Sequence, residues 1–320
     1  MNNNKLSRRE AITRTGLLVG AAAVCHQPQS DAAGASSNPP GARPFCFSLN
    51  TATLRGHKLG IVKEIEIAAA AGYDGIEPWV EAVQQYEKSG GSLSDLKKRI
   101  SDSGLKVEGA IGFPEWIVDD DARRAQGLER AKAEMDLMAR IGGKRFAAPP
   151  AGATKLPKLD LVKAAERYRA LLEAGDQIGI VPELELWGFS QNMNRLGECA
   201  GVAIETGHPK ACVLPDIFHL YKGGSDFHGL ALLSSSMVQV LHMNDYPAEP
   251  PREKIDDSYR IYPGDGTAPV VEIVRLMSQT GGQKVLSLEL FNRKLWTQDP
   301  LEVAKTGLAK MKAVAAKAIG

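Results

Sequence analysis

Eight short apolar runs of strand length alternate with helical segments along the chain from Phe45 onward. Helical periodicity covers residues 61–71, 121–141, 159–177 and 268–278, and a closing helix is predicted over 300–318. Strict alternation predicts a parallel sheet, and eight repeats favour a single-domain (β/α)8 TIM barrel over an open doubly wound sheet. The predicted strands lie near residues 45–50, 74–77, 106–111, 144–148, 179–185, 211–216, 238–242 and 284–289.

The composition agrees with a globular barrel and excludes some partners. With 320 residues, of which 43% are apolar, the chain can bury a substantial core. A formal net charge of +1 gives no general electrostatic attraction to nucleic acid or to an anionic membrane.

The N-terminal segment differs from the rest of the chain. An arginine pair, Arg8 and Arg9, precedes an apolar stretch at 16–25 and the small residues Ala33, Gly34 and Ala35. We therefore expect a twin-arginine-type signal peptide over 1–35, a linker over 36–44, the barrel over 45–320, and a periplasmic location. The apolar stretch is too short to span a bilayer, and no later segment has a transmembrane pattern.

Three cysteines follow the predicted signal peptide, namely Cys46, Cys199 and Cys212. They stand at strand or helix positions and form no Cys-x-x-Cys pair, so we expect buried apolar side chains without a disulfide framework.

Polar residues end four of the predicted strands: Glu185, Asp216, His242 and Glu289. The carboxyl ends of parallel strands meet at one end of a barrel, where these four side chains are expected to converge. Three carboxylates and one imidazole suit a divalent metal, Mn²⁺ before Mg²⁺ or Co²⁺. The alternative is an ordinary ring of polar residues that closes the barrel end.

Glu185 and Glu289 come from the fifth and eighth predicted strands, on opposed sides of an eight-stranded ring. From these positions the two carboxyl groups could flank a substrate carbon, one removing a proton beside a carbonyl and the other returning one.

Several segments resemble the xylose isomerase-like superfamily, which includes ketose 3-epimerases, hydroxypyruvate isomerases and inosose dehydratases. The resemblance implies that Glu185, Asp216, His242 and Glu289 bind metal and that both glutamates are the acid and base. It also implies that His219 hydrogen-bonds a substrate oxygen and that Asp245 orients His242 or contacts substrate. The segments are Asp216-Ile-Phe-His219, His242-Met-Asn-Asp245, Tyr262-Pro-Gly-Asp-Gly266 and Leu288-Glu289.

Substrate identity is left open at one position. The ketose epimerases carry an arginine six residues past the metal histidine, where this chain has Ala248. Arg252, Lys254 and Arg260 in the same loop are candidate replacements, and the alternative is a solvated charged loop.

Other candidate sugar contacts follow predicted strand ends. Trp116 and Trp187 are expected to stack on substrate, as Trp79 and Trp296 could, with packing beneath loops as the alternative. His57, in the first strand-to-helix loop, could also reach the mouth of the barrel.

The leading hypothesis is a metal-dependent isomerase or epimerase that acts on a small sugar or keto-sugar through an enediolate. A lyase that expels a leaving group from the same enediolate remains open, and so does a non-catalytic sugar-binding protein. The apurinic endonuclease branch is disfavoured, because the chain lacks the histidines of a trinuclear zinc site and its net charge does not favour DNA. A homo-oligomer is compatible with the sequence.

Overall fold

The computed structural model describes residues 43–320 as a ring of parallel strands surrounded by helices. The predicted signal peptide and most of the predicted linker lie outside the described residues. The strands are β1 (Phe45–Asn50), β2 (Gly75–Glu77), β3 (Lys106–Val107), β4 (Arg145–Ala148), β5 (Val181–Glu185), β6 (Val213–Leu214), β7 (Val240–Met243) and β8 (Lys284–Leu288).

Each strand is followed by at least one helix, which confirms the predicted alternation. Many helices begin where an aspartate accepts backbone N–H groups of the first turn, as Asp120, Asp160 and Asp299 do. The helices are α1 (Ile61–Ala71), α2 (Val80–Lys88), α3 (Leu93–Asp102), α4 (Asp121–Arg140), α5 (Leu161–Ile178), α6 (Leu196–Glu205), α7 (Ile217–Gly223), α8 (Val270–Gln279) and α9 (Pro300–Ile319).

The strand order is that of a TIM barrel, which confirms the predicted fold. Parallel ladders join the strands in the orders β3-β2-β1-β8-β7 and β4-β5-β6. At the two seams the ladder is interrupted, although the Ala147 amide donates to the Ala110 carbonyl (2.9 Å) and the His242 amide to the Pro215 carbonyl (3.0 Å). The ring is therefore complete in order but not continuously hydrogen-bonded.

Two strands, β3 and β6, are only two residues long, although their apolar runs predicted six-residue strands. After β3 the chain leaves the ladder at Gly109, where a Cβ atom would overlap the Glu77 carboxylate. After β6, Pro215 lacks an amide donor, and Asp216 turns its side chain to accept the His219 amide (2.8 Å) at the start of α7. In both places the polar end of the barrel interrupts the regular strand.

Residues alternate along the strands between the helix layer and the barrel interior. An interior apolar cluster includes Cys46, Ala147, Leu214, Val240 and Val285. Toward the carboxyl ends of the strands the same faces become polar. His242 follows Val240 by two residues, and Glu289 follows Val285 by four residues. The sequence pattern thus places polar chemistry above an apolar floor.

The remaining expectations about the chain body concern cysteines and membranes. Cys46, Cys199 and Cys212 are free and buried, as predicted, and burial raises the pKa of the Cys46 thiol to about 12. Within residues 43–320, no helix combines the length and apolar character that crossing a membrane requires.

The long loop between β7 and α8 is organised by Asp245. Its buried carboxylate accepts the backbone amides of Tyr246 (2.8 Å), Gly264 (3.0 Å), Gly266 (2.9 Å) and Ala268 (2.9 Å). The expectation that Asp245 orients His242 or contacts substrate is corrected, because both of its oxygens are occupied by loop amides.

Replacing Asp245 with Asn should lower the free energy of unfolding by about 2–3 kcal/mol, since an amide NH₂ group would face donors that the carboxylate now accepts. Urea denaturation measures the change, and faster amide exchange at Gly264 and Gly266 should accompany it. Asp265→Asn, at an exposed residue of the same loop that pairs with Lys310, is the control and should change stability little. Equal effects of the two substitutions would contradict this role.

Candidate metal-binding active site

Three of the four predicted ligand residues, Asp216, His242 and Glu289, each bring one ligand atom within 4.8 Å of the others at the carboxyl end of the barrel, and Glu185 approaches the His242 ring. His242 Nδ1 lies 3.2 Å from Glu289 Oε2, 3.8 Å from Glu185 Oε1 and 3.9 Å from Asp216 Oδ2. All four side chains are buried. The four residues are far apart along the chain, so the barrel fold brings their side chains together.

The donor set fits a divalent cation. Separations of 3.2–3.9 Å are those expected of atoms that share a cation through bonds of about 2.1 Å. Glu185 Oε2 and both ring nitrogens of His242 have no well-directed hydrogen bond within residues 43–320. Three buried carboxylates around one imidazole need additional positive charge, which a metal ion supplies.

His242 is oriented by Glu77, the last residue of β2. Glu77 Oε2 lies 3.1 Å from His242 Nε2 and accepts hydrogen bonds from Ser287 Oγ (2.7 Å) and Asn50 Nδ2 (2.9 Å). Burial favours a raised pKa, but His242 and the two hydrogen bonds hold the pKa of Glu77 below its ordinary value. Glu77 therefore has the role for which Asp245 was a candidate.

Arg260 is the cation that the loop after β7 contributes. Its guanidinium is fully buried, and Nη1 donates to Asp216 Oδ2 and Glu289 Oε2, both at 2.8 Å. Nη2 and Nε donate to Asp257 at 2.6 Å and 3.0 Å. Of the three loop cations considered from the sequence, Arg260 thus reaches the ligand set, where it holds two carboxylates in place.

His219 has one ring nitrogen without a hydrogen-bond partner among residues 43–320. Its Nε2 lies 3.1 Å from Arg260 Nη2, and burial together with the Arg260 charge lowers the pKa of His219 to about 4. Because arginine only donates, Nε2 is the acceptor and the hydrogen of the neutral ring is on Nδ1. Nδ1 is buried and has no partner among the described residues, so it is a free donor.

The two glutamates of the proposed acid and base pair have different environments. Burial raises the pKa of Glu185 to about 8, and the nearby Glu289 and Asp216 charges act in the same direction. Burial acts likewise on Glu289, but His242 and Arg260 outweigh it and hold its pKa below the ordinary value. Glu185 therefore holds a proton more readily than Glu289, and this difference suits acid and base chemistry.

Aromatic side chains line the mouth beside Glu185. The Trp187 ring lies 5.8 Å from Phe113 and 5.2 Å from Phe189. Phe189 is 48% exposed, which leaves an apolar face available at the entrance. Trp187 therefore lies where the sequence predicted a sugar contact.

Three predicted substrate contacts lie elsewhere. Trp116 is buried against Tyr168, and its indole donates to the Pro149 carbonyl (2.8 Å), so it packs in the core. His57 approaches the Leu54 and Gln298 carbonyls with its two ring nitrogens (3.1 and 2.9 Å). Arg252 is exposed and lies 3.7 Å from Glu253.

Sequence reasoning missed Asn50, Glu77 and Asn244. Asn50 Nδ2 donates to Glu289 Oε1 (3.1 Å) as well as to Glu77, and Asn244 Nδ2 donates to Asp216 Oδ2 (2.8 Å). Asn50 and Glu77 end the first and second strands, so the strand-end rule that found the four ligands would have found both. Asn244 lies two residues past His242, where alternation returns a side chain to the same side.

The chain resembles enzymes of several reaction types. It is 26% identical over 255 residues to a 3-dehydroshikimate dehydratase of Pseudomonas aeruginosa, covering 77% of this chain and 38% of that protein. It therefore spans well under half of that relative. It is 24% identical over 277 residues to an inosose isomerase of Bacillus velezensis, covering 85% of this chain and 97% of that protein.

Structural comparison gives the same fold. The crystal structure of the IOLI protein with a bound zinc atom superposes with a TM-score of 0.79 at 19% identity, covering 86% of this chain and 99% of that chain. A family model described as a xylose isomerase-like TIM barrel matches residues 65–314. Because that match spans most of its length, the chain belongs to the xylose isomerase-like TIM barrel family.

Proposed function

We propose that the protein is a divalent-metal-dependent isomerase or epimerase that moves a proton next to the carbonyl of a sugar or oxidised sugar. The observation that carries this proposal is the convergence of Glu185, Asp216 and Glu289 on His242 Nδ1 within 3.9 Å. The resemblance to an inosose isomerase supports the reaction class.

The metal would be held by Glu185, Asp216, His242 and Glu289. When bound, a divalent cation would polarise the substrate carbonyl and lower the energy of the enediolate. The solved IOLI relative contains zinc, whereas the oxygen-rich donor set here favours Mn²⁺ as the resident ion.

The chain's own residues then perform the proton transfers. Glu289, kept ionised by His242 and Arg260, takes a proton from the carbon beside the carbonyl and leaves an enediolate. Glu185, on the opposed strand, donates a proton to the enediolate carbon and restores the carbonyl. His219 Nδ1–H donates a hydrogen bond to a substrate oxygen during both transfers.

A lyase is the second candidate, because the same enediolate can expel a leaving group from the adjacent carbon. The resemblance to a 3-dehydroshikimate dehydratase favours this alternative, and the free Nδ1–H of His219 provides a donor for a departing oxygen. Product analysis separates the two reactions, since an isomerase leaves the elemental composition of the substrate unchanged and a lyase releases water or an alcohol.

Replacing either Glu185 or Glu289 with Gln should reduce kcat on a responsive ketose or keto-sugar by about 10²–10⁴-fold, because an amide cannot exchange the proton. Turnover is measured with Mn²⁺-saturated protein. The matched control is Glu183→Gln, a buried glutamate two residues from Glu185 that lies 3.5 Å from Arg145 and outside the ligand set. Unchanged turnover in both variants would contradict the acid and base roles of the two glutamates, whereas no turnover by the natural protein would support a non-catalytic binding protein.

Glu77→Gln should weaken Mn²⁺ binding by about 10–100-fold, because the imidazole loses the carboxylate that fixes its orientation. Electron paramagnetic resonance of free Mn²⁺ in a titration measures the affinity. Glu183→Gln again serves as the control and should bind Mn²⁺ like the natural protein. Equal affinity in the Glu77 variant would contradict the proposed orientation of His242.

A further inference from the structure

A cavity of about 730 Å³ lies between the segment that follows β1 and the helix α2. This volume is within the range of small-molecule sites, about 300–1,000 Å³. Its chemistry differs from that of the metal-binding centre, because it contains charged groups of both signs together with aromatic rings. The residues that matter here are Arg55, Lys58, Glu64, Trp79, Glu81 and Tyr86.

Glu64 gives this cavity an unused polar group. The residue is 6% exposed, and its Oε2 is buried without a hydrogen-bond partner among residues 43–320. Burial raises the pKa of its carboxyl group to about 7, while the Arg55 charge opposes the rise. A carboxyl group without a protein partner costs free energy, part of which a ligand would recover by hydrogen-bonding the small exposed part of Glu64 that faces the cavity.

The charges around the cavity select a neutral ligand. Arg55 lies 4.0 Å from the Trp79 ring centre and 3.3 Å from Glu81 Oε2, while Lys58 and Glu64 supply one further charge of each sign. Neither a strongly anionic nor a strongly cationic molecule is favoured by this balance. Hydroxyl groups can donate to Glu64 and accept from Arg55, and the Tyr86 ring offers apolar contact to a sugar ring.

The cavity also adjoins the catalytic centre. Trp79, which lines it, donates from Nε1 to Asn50 Oδ1 (3.2 Å), and Asn50 Nδ2 donates to Glu289 Oε1 (3.1 Å). One indole ring and one amide thus separate the cavity from a proposed catalytic glutamate. That arrangement suits a ligand that extends beyond a single reacting ring.

We propose that this cavity is a second sugar-binding site, which holds the non-reacting, neutral ring of a glycosidic substrate. That the bound ring belongs to the substrate rests on the proposed function, whereas the binding of a neutral sugar in the cavity does not. The two parts therefore have separate tests.

Binding is tested on the purified protein by following the Trp79 indole N–H resonance, assigned with Trp79→Phe, during titration with maltose and with methyl α-D-glucopyranoside. A saturable shift at millimolar sugar is expected, and it should persist in Glu289→Gln. Ala82→Phe, which fills the cavity from α2, should abolish the shift, and Glu64→Leu should weaken binding at least tenfold. Glu87→Gln, on the same helix but outside the cavity lining, is the control.

No saturable shift with either probe, or a shift that Ala82→Phe leaves intact, would overturn the site. The substrate role is tested by the ratio of kcat/KM for a keto-glycoside to that for the matching keto-monosaccharide. Ala82→Phe should lower this ratio at least tenfold. Lost sugar binding with an unchanged ratio would overturn the substrate role alone, and absence of any turnover would overturn the proposed function while leaving the binding result readable.

Glu64→Gln provides a check on the unpaired carboxyl group itself. Because its pKa is raised in the folded protein, Glu64 contributes stability at low pH that is lost as pH rises toward about 7. The charged neighbours that face it, Arg55 and Lys58 before α1 and Glu81 on α2, remain in the variant. The gain in Tm from Glu64→Gln should therefore be larger at pH 8 than at pH 5, and a loss of Tm at pH 8 would show that the carboxylate already has a partner.

Discussion

Three buried carboxylates around one imidazole are the constraint on which the rest of this end of the barrel depends. Such a cluster is stable only when positive charge and hydrogen-bond donors surround it. The chain supplies Arg260 against Asp216 and Glu289, and it supplies Asn50 and Asn244 as amide donors. Glu185 receives much less compensation, and a divalent cation at this point would complete the charge balance.

The loop after β7 connects this charge balance to the barrel rim. Asp245 fixes the loop through four backbone amides, and Asp257 holds the Arg260 guanidinium from the opposite side of the ligand set. Arg260 in turn occupies His219 Nε2, which leaves Nδ1–H free. The loop after β7 therefore sets both the positions of the candidate metal ligands and the placement of the His219 Nδ1–H donor. A substitution that distorts this loop is expected to change both.

The fold and the convergence of the four candidate ligand residues could be predicted because both follow from local pattern and strand direction. Polar residues at the ends of parallel strands must meet, and Glu185, Asp216, His242 and Glu289 do. The contacts of the loop after β7 could not be assigned in the same way: Asp245 is near His242 in sequence, yet its carboxylate accepts loop amides. The carboxylate beside the His242 ring is that of Glu77, at the end of β2. The prediction that Trp116 contacts substrate was wrong because its ring turns into the core. The lack of a hydrogen-bond partner for Glu64 Oε2 depends on how α1 packs beside α2 and could not be predicted from the sequence.

Hydrogen exchange at the substrate carbon tests the central claim most directly. Mn²⁺-loaded protein would be incubated in D₂O with a panel of ketoses, keto-sugars and keto-glycosides, and products would be followed by NMR. The account predicts deuterium on the carbon beside the carbonyl with the carbon skeleton intact for an isomerase or epimerase. For a lyase it predicts an eliminated product, because the enediolate then expels the leaving group instead of taking up deuterium. An isomerised or epimerised product without deuterium at that carbon, or no reaction anywhere in the panel, would contradict it.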